Sequence, residues 1–309
     1  MVDKGIPGAI AMSAVAFTYL GIMANTLFAL IDERAEWLIE SGGSAQEFAD
    51  CVLASQKLDL QSPNLMRCLN DRAERFFDDA SPRDVAKCVS ALSTLPTQSS
   101  NVFRLLDDRA EWLLDNGTPR NVASCLWACG KPGIKSSHLF RVLDERAEWL
   151  FEHGTSHDIA TSCLWACGAM GIKSHNLLRL LDERAELMFQ NSTARDVEKC
   201  VQACGKLGIA SPNLFKLLEQ HAEWVVGSGT PEEIANCALA AERLGIEVPY
   251  LLWVIETHAE WLFKRGSPKN VANIVWASAR RGVKVPNLLR LLDERADWLV
   301  ENGSSQDSH

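Results

Sequence analysis

Cysteines four residues apart are the first residues in this chain whose type and spacing could do chemistry. Three such pairs occur, each placing both thiols on one face of a helix: Cys125 with Cys129, Cys163 with Cys167, and Cys200 with Cys204. A pair of this kind could ligate a metal if two histidines faced it, but no copy supplies them. Because the cysteines recur at equivalent positions, we interpret them as packing residues and predict neither metal nor cofactor.

Acidic and histidine side chains give no catalytic constellation. The seven histidines are scattered, and no glycine-rich loop is present that could cradle a phosphate. The acids recur from copy to copy, so we interpret them as scaffold. The sequence therefore predicts that the protein is not an enzyme.

Basic and polar side chains spaced i, i+4, i+7 and i+11 could bind phosphate. In one copy these positions hold Arg120, Ser124, Trp127 and Lys131, which would share one stripe of a helix. In other copies the stripe is basic to neutral and varies, as in proteins that read RNA with one repeat per base. The candidates for phosphate contacts are Arg83, Lys87, Arg120, Lys131, Arg195, Lys199, Lys206, Arg243, Lys269 and Arg280. The candidates for base-edge contacts are Ser124, Asn236 and Asn273.

Other interpretations of this stripe stay open. Its polar residues could form a solvated face or a surface that binds protein, and the net charge of −9 counts for the latter. The acids Glu232, Glu233 and Glu242 would interrupt a positive surface. Three indoles on the stripe could stack on bases, although tryptophan beside a repeated alanine is typical of inter-repeat core: Trp127, Trp165 and Trp276.

A repeat of 37 or 38 residues positions these side chains. Variants of the segment LFRVLDERAEWL begin at Leu27, Leu65, Val102, Leu139, Leu177, Leu214, Leu251 and Leu288. The apolar spacing within it predicts a helix, which we name helix B. A second helix, helix A, precedes it in each copy. Such a fixed period indicates stacked αα-hairpins.

Capping residues mark the ends of helix A. Ser or Thr followed by Pro, as in Thr118-Pro119, predicts its start, with an acid or amide at the third helical position. Glycines such as Gly133, Gly171 and Gly208 predict its end. One copy holds an extra residue near Thr161.

Residues 6–31 contain no charged residue and are long enough to span a membrane. However, Pro7 to Ile22 aligns without a gap on Pro119 to Ile134, which contains helix A of another copy. We interpret the segment as a degenerate first repeat, with membrane anchoring as the alternative.

One position of helix B holds arginine in six copies and histidine in two: Arg34, Arg72, Arg109, Arg146, Arg184 and Arg295, with His221 and His258 as substitutes. Stacked repeats would place these side chains in a row, which could bind an anion. We favour pairing of each arginine with an acid of the same motif in a neighbouring copy, which would set the stacking register.

The segment from Pro119 to Ile134, PRNVASCLWACGKPGI, resembles the octotricopeptide and heptatricopeptide repeat families. The similarity covers nearly the whole chain through its period and through Trp127, Trp165 and Trp276. It implies a protein that binds single-stranded RNA in a mitochondrion or chloroplast and assists RNA processing, stability, editing or translation. The acidic helix B departs from the family pattern, and we see no transit peptide, so a native N-terminus would imply a cytoplasmic protein.

Together these observations predict an all-α protein, a right-handed α-solenoid (superhelix) of about eight αα-hairpins. We expect a single array over 1–309, with a degenerate first repeat over 1–43, seven regular repeats over 44–303, and the start of a truncated ninth over 304–309. The predicted partner is single-stranded RNA bound along helices A, which we expect on the inner curve. The alternative is a protein-interaction scaffold on the same solenoid.

Overall fold

The computed structural model describes residues 7–41, 43–93, 100–130, 134 and 136–302, which form only helices and the turns between them. The helices alternate in two kinds along the chain, as the repeat predicts. The fold is therefore an all-α helical-repeat solenoid, and the hand of its superhelix stays a prediction.

Helix A occurs in eight successive repeats within the described residues. Its bounds are Pro7–Leu20, Ala45–Lys57, Pro82–Leu92, Pro119–Cys129, Asp158–Leu164 continued by Trp165–Met170, Ala194–Leu207, Pro231–Leu244 and Pro268–Arg280. In repeat 4, Thr118 Oγ1 accepts a hydrogen bond from Asn121 N at 3.3 Å, and Asn121 Oδ1 accepts one from Thr118 N at 3.1 Å. This reciprocal capping box satisfies two backbone donors at the helix start. Ser44, Ser81, Thr193, Thr230 and Ser267 begin the same motif.

Glycine ends helix A where the backbone must turn left-handed. Gly171, Gly208, Gly245 and Gly282 have φ between 66° and 75°, a conformation that side chains with a Cβ disfavour. The predicted cap at Gly133 lies outside the described residues. In repeat 5, Asp158–Leu164 form a π-helix, whose wider turns absorb the one extra residue that the sequence showed.

Helix B is broken in two, so the prediction of one continuous helix was wrong. Its first halves are Asn25–Glu33, Pro63–Asp71, Ser100–Asp108, Ser137–Glu145, His175–Glu183, Pro212–Gln220, Pro249–Thr257 and Pro286–Glu294. Its second halves are Ala35–Glu40, Ala73–Asp79, Ala110–Asn116, Ala147–His153, Ala185–Gln190, Ala222–Ser228, Ala259–Arg265 and Ala296–Asn302. The recurrent Arg or His lies at each break, as at Arg72 with φ −112° and ψ 25°. A one-residue break keeps the apolar face on one side, so periodicity could not reveal it.

The chain forms two compact units that divide between Arg146 and Ala147. Within each unit, helices A pack against helices A of adjacent repeats, and helices B pack against helices B. The apolar faces of the two layers form the core, which buries Leu65, Leu69 and Leu139 in the first unit and Leu150 in the second. Helix A residues that face away from helix B are thereby presented as a surface.

Acids before the break in helix B tie several repeats to the next one within each unit. Asp32 Oδ1 accepts a hydrogen bond from Leu65 N at 2.9 Å, in the first turn of the following helix B. Asp107 accepts one from Leu139 N at 2.8 Å, and Asp182 accepts one from Asn213 N at 2.8 Å. Each carboxylate thus caps the next repeat's helix, where free backbone N–H groups need acceptors.

The arginine at the break pairs with the preceding repeat, but mostly not with the predicted acid. Arg72, Arg109 and Arg146 reach acids near the end of the previous helix B: Glu40 at 2.9 Å, Asp78 at 2.6 Å and Asp115 at 2.7 Å. Arg295 differs, since it lies 3.3 Å from Glu260, an acid of the predicted motif. The aspartate of that motif serves instead as the cap described above.

The apolar first segment forms two helices. Pro7–Leu20 packs against Ala45–Lys57 as one helix A on another, and Asn25–Glu33 follows as the first half of helix B. In the described part of the chain, no helix is long and apolar enough to cross a membrane.

Candidate nucleic-acid interface

The surface of helices A, as defined by the i, i+4, i+7, i+11 stripe, holds exposed cations that the protein does not neutralise. Five of the predicted phosphate contacts are exposed and form no ion pair within the described residues: Arg83, Arg120, Arg195, Lys206 and Arg243. Lys269 is exposed as well. The predicted contact Lys131 lies outside the described residues.

Lys87 has a different environment from the one the stripe predicted. Its Nζ lies 2.7 Å from Asp50 Oδ1 of the preceding helix A and 3.3 Å from Asp84 Oδ1, and its side chain is only 14% exposed. Because two carboxylates already surround the ammonium group, Lys87 is poorly placed to contact a phosphate. It acts as an inter-repeat tie in the first unit.

Three cations of the second unit lie close to one another. Partial burial of its side chain lowers the pKa of Lys206, and the positive charges of Lys199 and Arg243 lower it further. Gly205 allows this crowding, since a Cβ there would lie 2.9 Å from Ala240 Cβ of the next helix A. Two helices A therefore approach closely beneath a local excess of positive charge, which is an environment suited to an anion.

Glu198 is an acid at a helix A position where the other repeats hold alanine, and it was not among the residues predicted from the sequence. Equivalent positions hold Ala86, Ala123, Ala160 and Ala235, whereas Glu198 is buried with 1% of its surface exposed. Burial raises the pKa of its carboxyl group, and Lys199, at 3.1 Å, opposes that shift. Aligning the repeats by column, and asking which residue departs from each column, would have found it.

The three predicted base-edge residues differ in whether their side chains already form hydrogen bonds. Ser124 donates to Arg120 O at 2.9 Å, one turn back. Asn236 donates from Nδ2 to Glu198 Oε1 at 2.9 Å, which leaves its carbonyl oxygen without a donor in the described residues. Asn273 is partly exposed and makes no side-chain hydrogen bond there. The stripe therefore presents both fixed and free polar groups.

The stripe tryptophans are not all core. Trp127 and Trp165 are partly buried, as inter-repeat packing predicts. Trp276, in the last described helix A, is 57% exposed, which contradicts the core interpretation at this position. Arg280 lies with its guanidinium 5.9 Å from the Trp276 ring centroid, and its Nε is 3.2 Å from Glu242. This arginine is therefore partly neutralised.

The acids expected to interrupt the surface are mostly engaged. Glu233 Oε2 accepts from Thr230 N at 2.9 Å within a capping box. Glu242 is partly buried and pairs with Arg280, while Glu232 is exposed. Only Glu232 is thus left to oppose an approaching anion from this group of three.

A depression of about 660 Å³ lies on the helix A surface of the first unit. Tyr19, Lys57, Arg83 and Lys87 line it, together with Asp50. Tyr19 is 87% exposed and occupies the column of Lys131. The gapless alignment of Pro7–Ile22 with Pro119–Ile134 places this tyrosine on the stripe, although the stripe candidates named from the sequence do not include it.

Four arginines on helix B contrast with the five unpaired cations on helices A. Arg104, Arg141, Arg179 and Arg290 each pair with an acid four residues on, at 2.6–2.9 Å. These pairs cancel charge on the helix B surface. These four arginines are therefore less available to a ligand than the five unpaired cations of helices A.

All ten cysteines are buried and free. Burial raises the pKa of Cys51, Cys129 and Cys204 to about 12. Thiols in this state are poor nucleophiles and poor metal ligands. Within the described residues, no group of three or more His, Cys, Asp or Glu side chains is placed to hold a metal ion.

The stacked αα-hairpins define the class of this protein, an all-α helical-repeat solenoid. The sequence profile of a family described as "RESC6: RNA-editing substrate-binding complex 6 protein" matches residues 8–153 and 127–304. The two overlapping matches span nearly the whole chain, which therefore belongs to this family. No curated protein matches the chain significantly.

Proposed function

We propose that the protein binds single-stranded RNA along the surface of its helices A and assists RNA editing without catalysing a reaction itself. One observation carries the proposal. Five exposed cations on helices A, Arg83, Arg120, Arg195, Lys206 and Arg243, have no acidic partner in the described residues, whereas Arg104, Arg141, Arg179 and Arg290 on helix B are each paired within their own helix. In a chain of net charge −9, unpaired cations that recur on successive helices A point to a polyanionic ligand.

The family description supports an RNA ligand over other polyanions. It names an RNA-editing substrate-binding complex, and the variable polar residues of the stripe suit a strand with exposed bases. The resemblance to octotricopeptide and heptatricopeptide repeats supports the same function and an organellar location, in a mitochondrion or chloroplast.

Photo-crosslinking would test the site directly. A 4-thiouridine-containing single-stranded RNA is irradiated with the full chain, and crosslinked peptides are identified by mass spectrometry. We expect adducts on peptides that contain helices A, such as those around Arg195 and Arg243. Adducts confined to helix B peptides, around Arg179 and Arg290, would overturn this assignment.

A protein partner is the second candidate, and one surface favours it. On helix B of repeat 7, Trp253 and Thr257 replace the Arg–Glu pair that repeats 4, 5 and 8 hold there. The Trp253 ring is 55% exposed and stacks on Tyr250 with centroids 5.5 Å apart. Tyr250 in turn donates to Glu223 at 2.6 Å.

Aromatic faces beside carboxylates suit a basic segment of a partner protein, because both attract guanidinium and ammonium groups. We propose this occupant for the Tyr250–Trp253 surface. Anisotropy of a labelled hexa-arginine peptide should report binding, and hexaglutamate should not bind. The double variant Trp253→Arg, Thr257→Glu restores the pair found in other repeats and should abolish binding. Equal peptide affinity in this variant would exclude the surface.

A further inference from the structure

Glu198 fixes the direction of two amide side chains on the helix A surface. Its Oε1 accepts hydrogen bonds from Asn236 Nδ2 at 2.9 Å and from Gln202 Nε2 at 3.1 Å. An ionised carboxylate has only acceptors, so each amide must turn its nitrogen toward Glu198. Lys199 Nζ lies 3.1 Å from the other carboxylate oxygen and favours the ionised form.

This arrangement leaves two carbonyl oxygens available. Asn236 and Gln202 are both partly exposed, and neither side-chain oxygen accepts a hydrogen bond within the described residues. Rotating either amide would place its oxygen against the carboxylate and forfeit a hydrogen bond. The surface here therefore offers acceptors, and it offers them from two adjacent helices A.

Positive charge lies next to these acceptors. Lys206 and Arg243 are exposed and close enough for their charges to interact. Neither forms an ion pair in the described residues. A ligand that satisfies both features carries an anionic group and a hydrogen-bond donor, as a nucleotide with an exocyclic amine does.

We propose that Gln202 and Asn236, oriented by Glu198, form a subsite for nucleobases that carry an exocyclic amino group, with Lys206 and Arg243 on the adjoining phosphates. This inference rests on the proposed RNA function and adds a base preference to it. Adenine N6 and cytosine N4 donate two hydrogens to such acceptors. Uracil offers only N3–H, flanked by two carbonyl oxygens that face the amide oxygens unfavourably. Glu198 acts as a positioning residue, because it works through the amides.

Binding of labelled 12-nucleotide oligo(rA), oligo(rC) and oligo(rU) at equal salt would test the subsite. We expect oligo(rA) and oligo(rC) to bind about 5- to 10-fold more tightly than oligo(rU). This factor in affinity corresponds to the free energy of one hydrogen bond. Glu198→Ala restores the residue of other repeats and frees the amides to rotate. It should bring the ratio toward one, even if removal of a negative charge raises all three affinities.

Two further variants make the test specific. Lys206→Gln should weaken binding of all three RNAs by a similar factor and preserve the ratio, because it removes a phosphate contact. Glu198→Gln can both donate and accept, so it should also lower the ratio, and it provides the readout should Glu198→Ala unfold.

The possible outcomes distinguish a failure of the nucleobase subsite from a failure of the RNA-binding function. Binding of all three RNAs with equal affinity, or a ratio that survives both Glu198 substitutions, would overturn the subsite and leave the RNA function standing. Failure to bind any of the three at low salt would overturn both.

Discussion

Lys87 Nζ lies 2.7 Å from Asp50 Oδ1, across the contact between two successive helices A. This ion pair distinguishes a cation that holds the scaffold from the neighbouring cations that are free to bind. It also shows that a side chain's position on a stripe does not establish its role.

Lys87→Ala should therefore lower stability rather than RNA affinity. The substitution leaves Asp50 and buried Asp84 without their cation, and we expect a loss of about 1–3 kcal/mol in the free energy of unfolding. Urea denaturation would measure it. Arg83→Ala, at an exposed position on the same helix, should change stability by less than about 0.5 kcal/mol. Equal losses from the two variants would contradict this distinction.

The inter-repeat caps should contribute to stacking. Asp32 accepts from Leu65 N at 2.9 Å and from Asn64 Nδ2 at 3.1 Å, and it is buried. Asp32→Ala should lower the free energy of unfolding by about 1–2 kcal/mol, the usual value of a helix cap. Asp32→Asn keeps one acceptor oxygen and should therefore lower the free energy of unfolding by less. Thermal denaturation of both variants would check the order, and a neutral Asp32→Ala would refute the capping role.

Glu198 should make stability depend on pH in a predictable direction. Its folded-state pKa is raised by burial, so the folded protein holds this proton more tightly than the unfolded chain does. Stability from Glu198 is therefore present below the unfolded pKa and is lost as pH rises through the folded value. Relative to Glu198→Gln, the wild type should lose stability from about pH 4.5, the ordinary pKa of the carboxyl group, upward. Parallel pH profiles of unfolding free energy would contradict the assigned burial.

The thiols should be unreactive in the folded protein. Because burial raises the pKa values of Cys51, Cys129 and Cys204 to about 12, almost no thiolate exists at pH 8. Ellman's reagent should label few cysteines within minutes in buffer, and all ten in guanidinium chloride. Rapid labelling of several cysteines under native conditions would show that helix A opens readily.

The sequence predicted the repeat scaffold well because period, capping residues and glycines act locally. Thr118 with Asn121, Gly208 and the extra residue near Thr161 each fix backbone geometry within one turn. The break at Arg72 was not predictable, since a one-residue turn leaves the apolar periodicity unchanged.

The candidate site was only partly predictable because its properties depend on contacts between repeats. Arg195, Lys206 and Arg243 are exposed as the stripe predicted. Lys87 and Asn236 are instead occupied by acids 37 and 38 residues earlier in the chain. Such pairings require knowledge of how adjacent helices A align, which a single helical stripe does not contain.

Salt-dependent binding of a random single-stranded RNA pool tests the central claim most directly. Fluorescence anisotropy would compare the wild type with a triple charge reversal on helices A: Arg195→Glu, Lys206→Glu and Arg243→Glu. A matched reversal on helix B, which changes the net charge equally, is Arg104→Glu, Arg179→Glu and Arg290→Glu.

We predict that the wild type binds with a steep salt dependence. The helix A variant should lose affinity. Its slope of log K against log salt should become shallower by about 2, as expected when three phosphate contacts on a single strand are lost. The helix B variant should retain most of the affinity and most of the salt dependence. Equal loss in the two variants, or no binding by the wild type at low salt, would contradict RNA binding by the helix A surface.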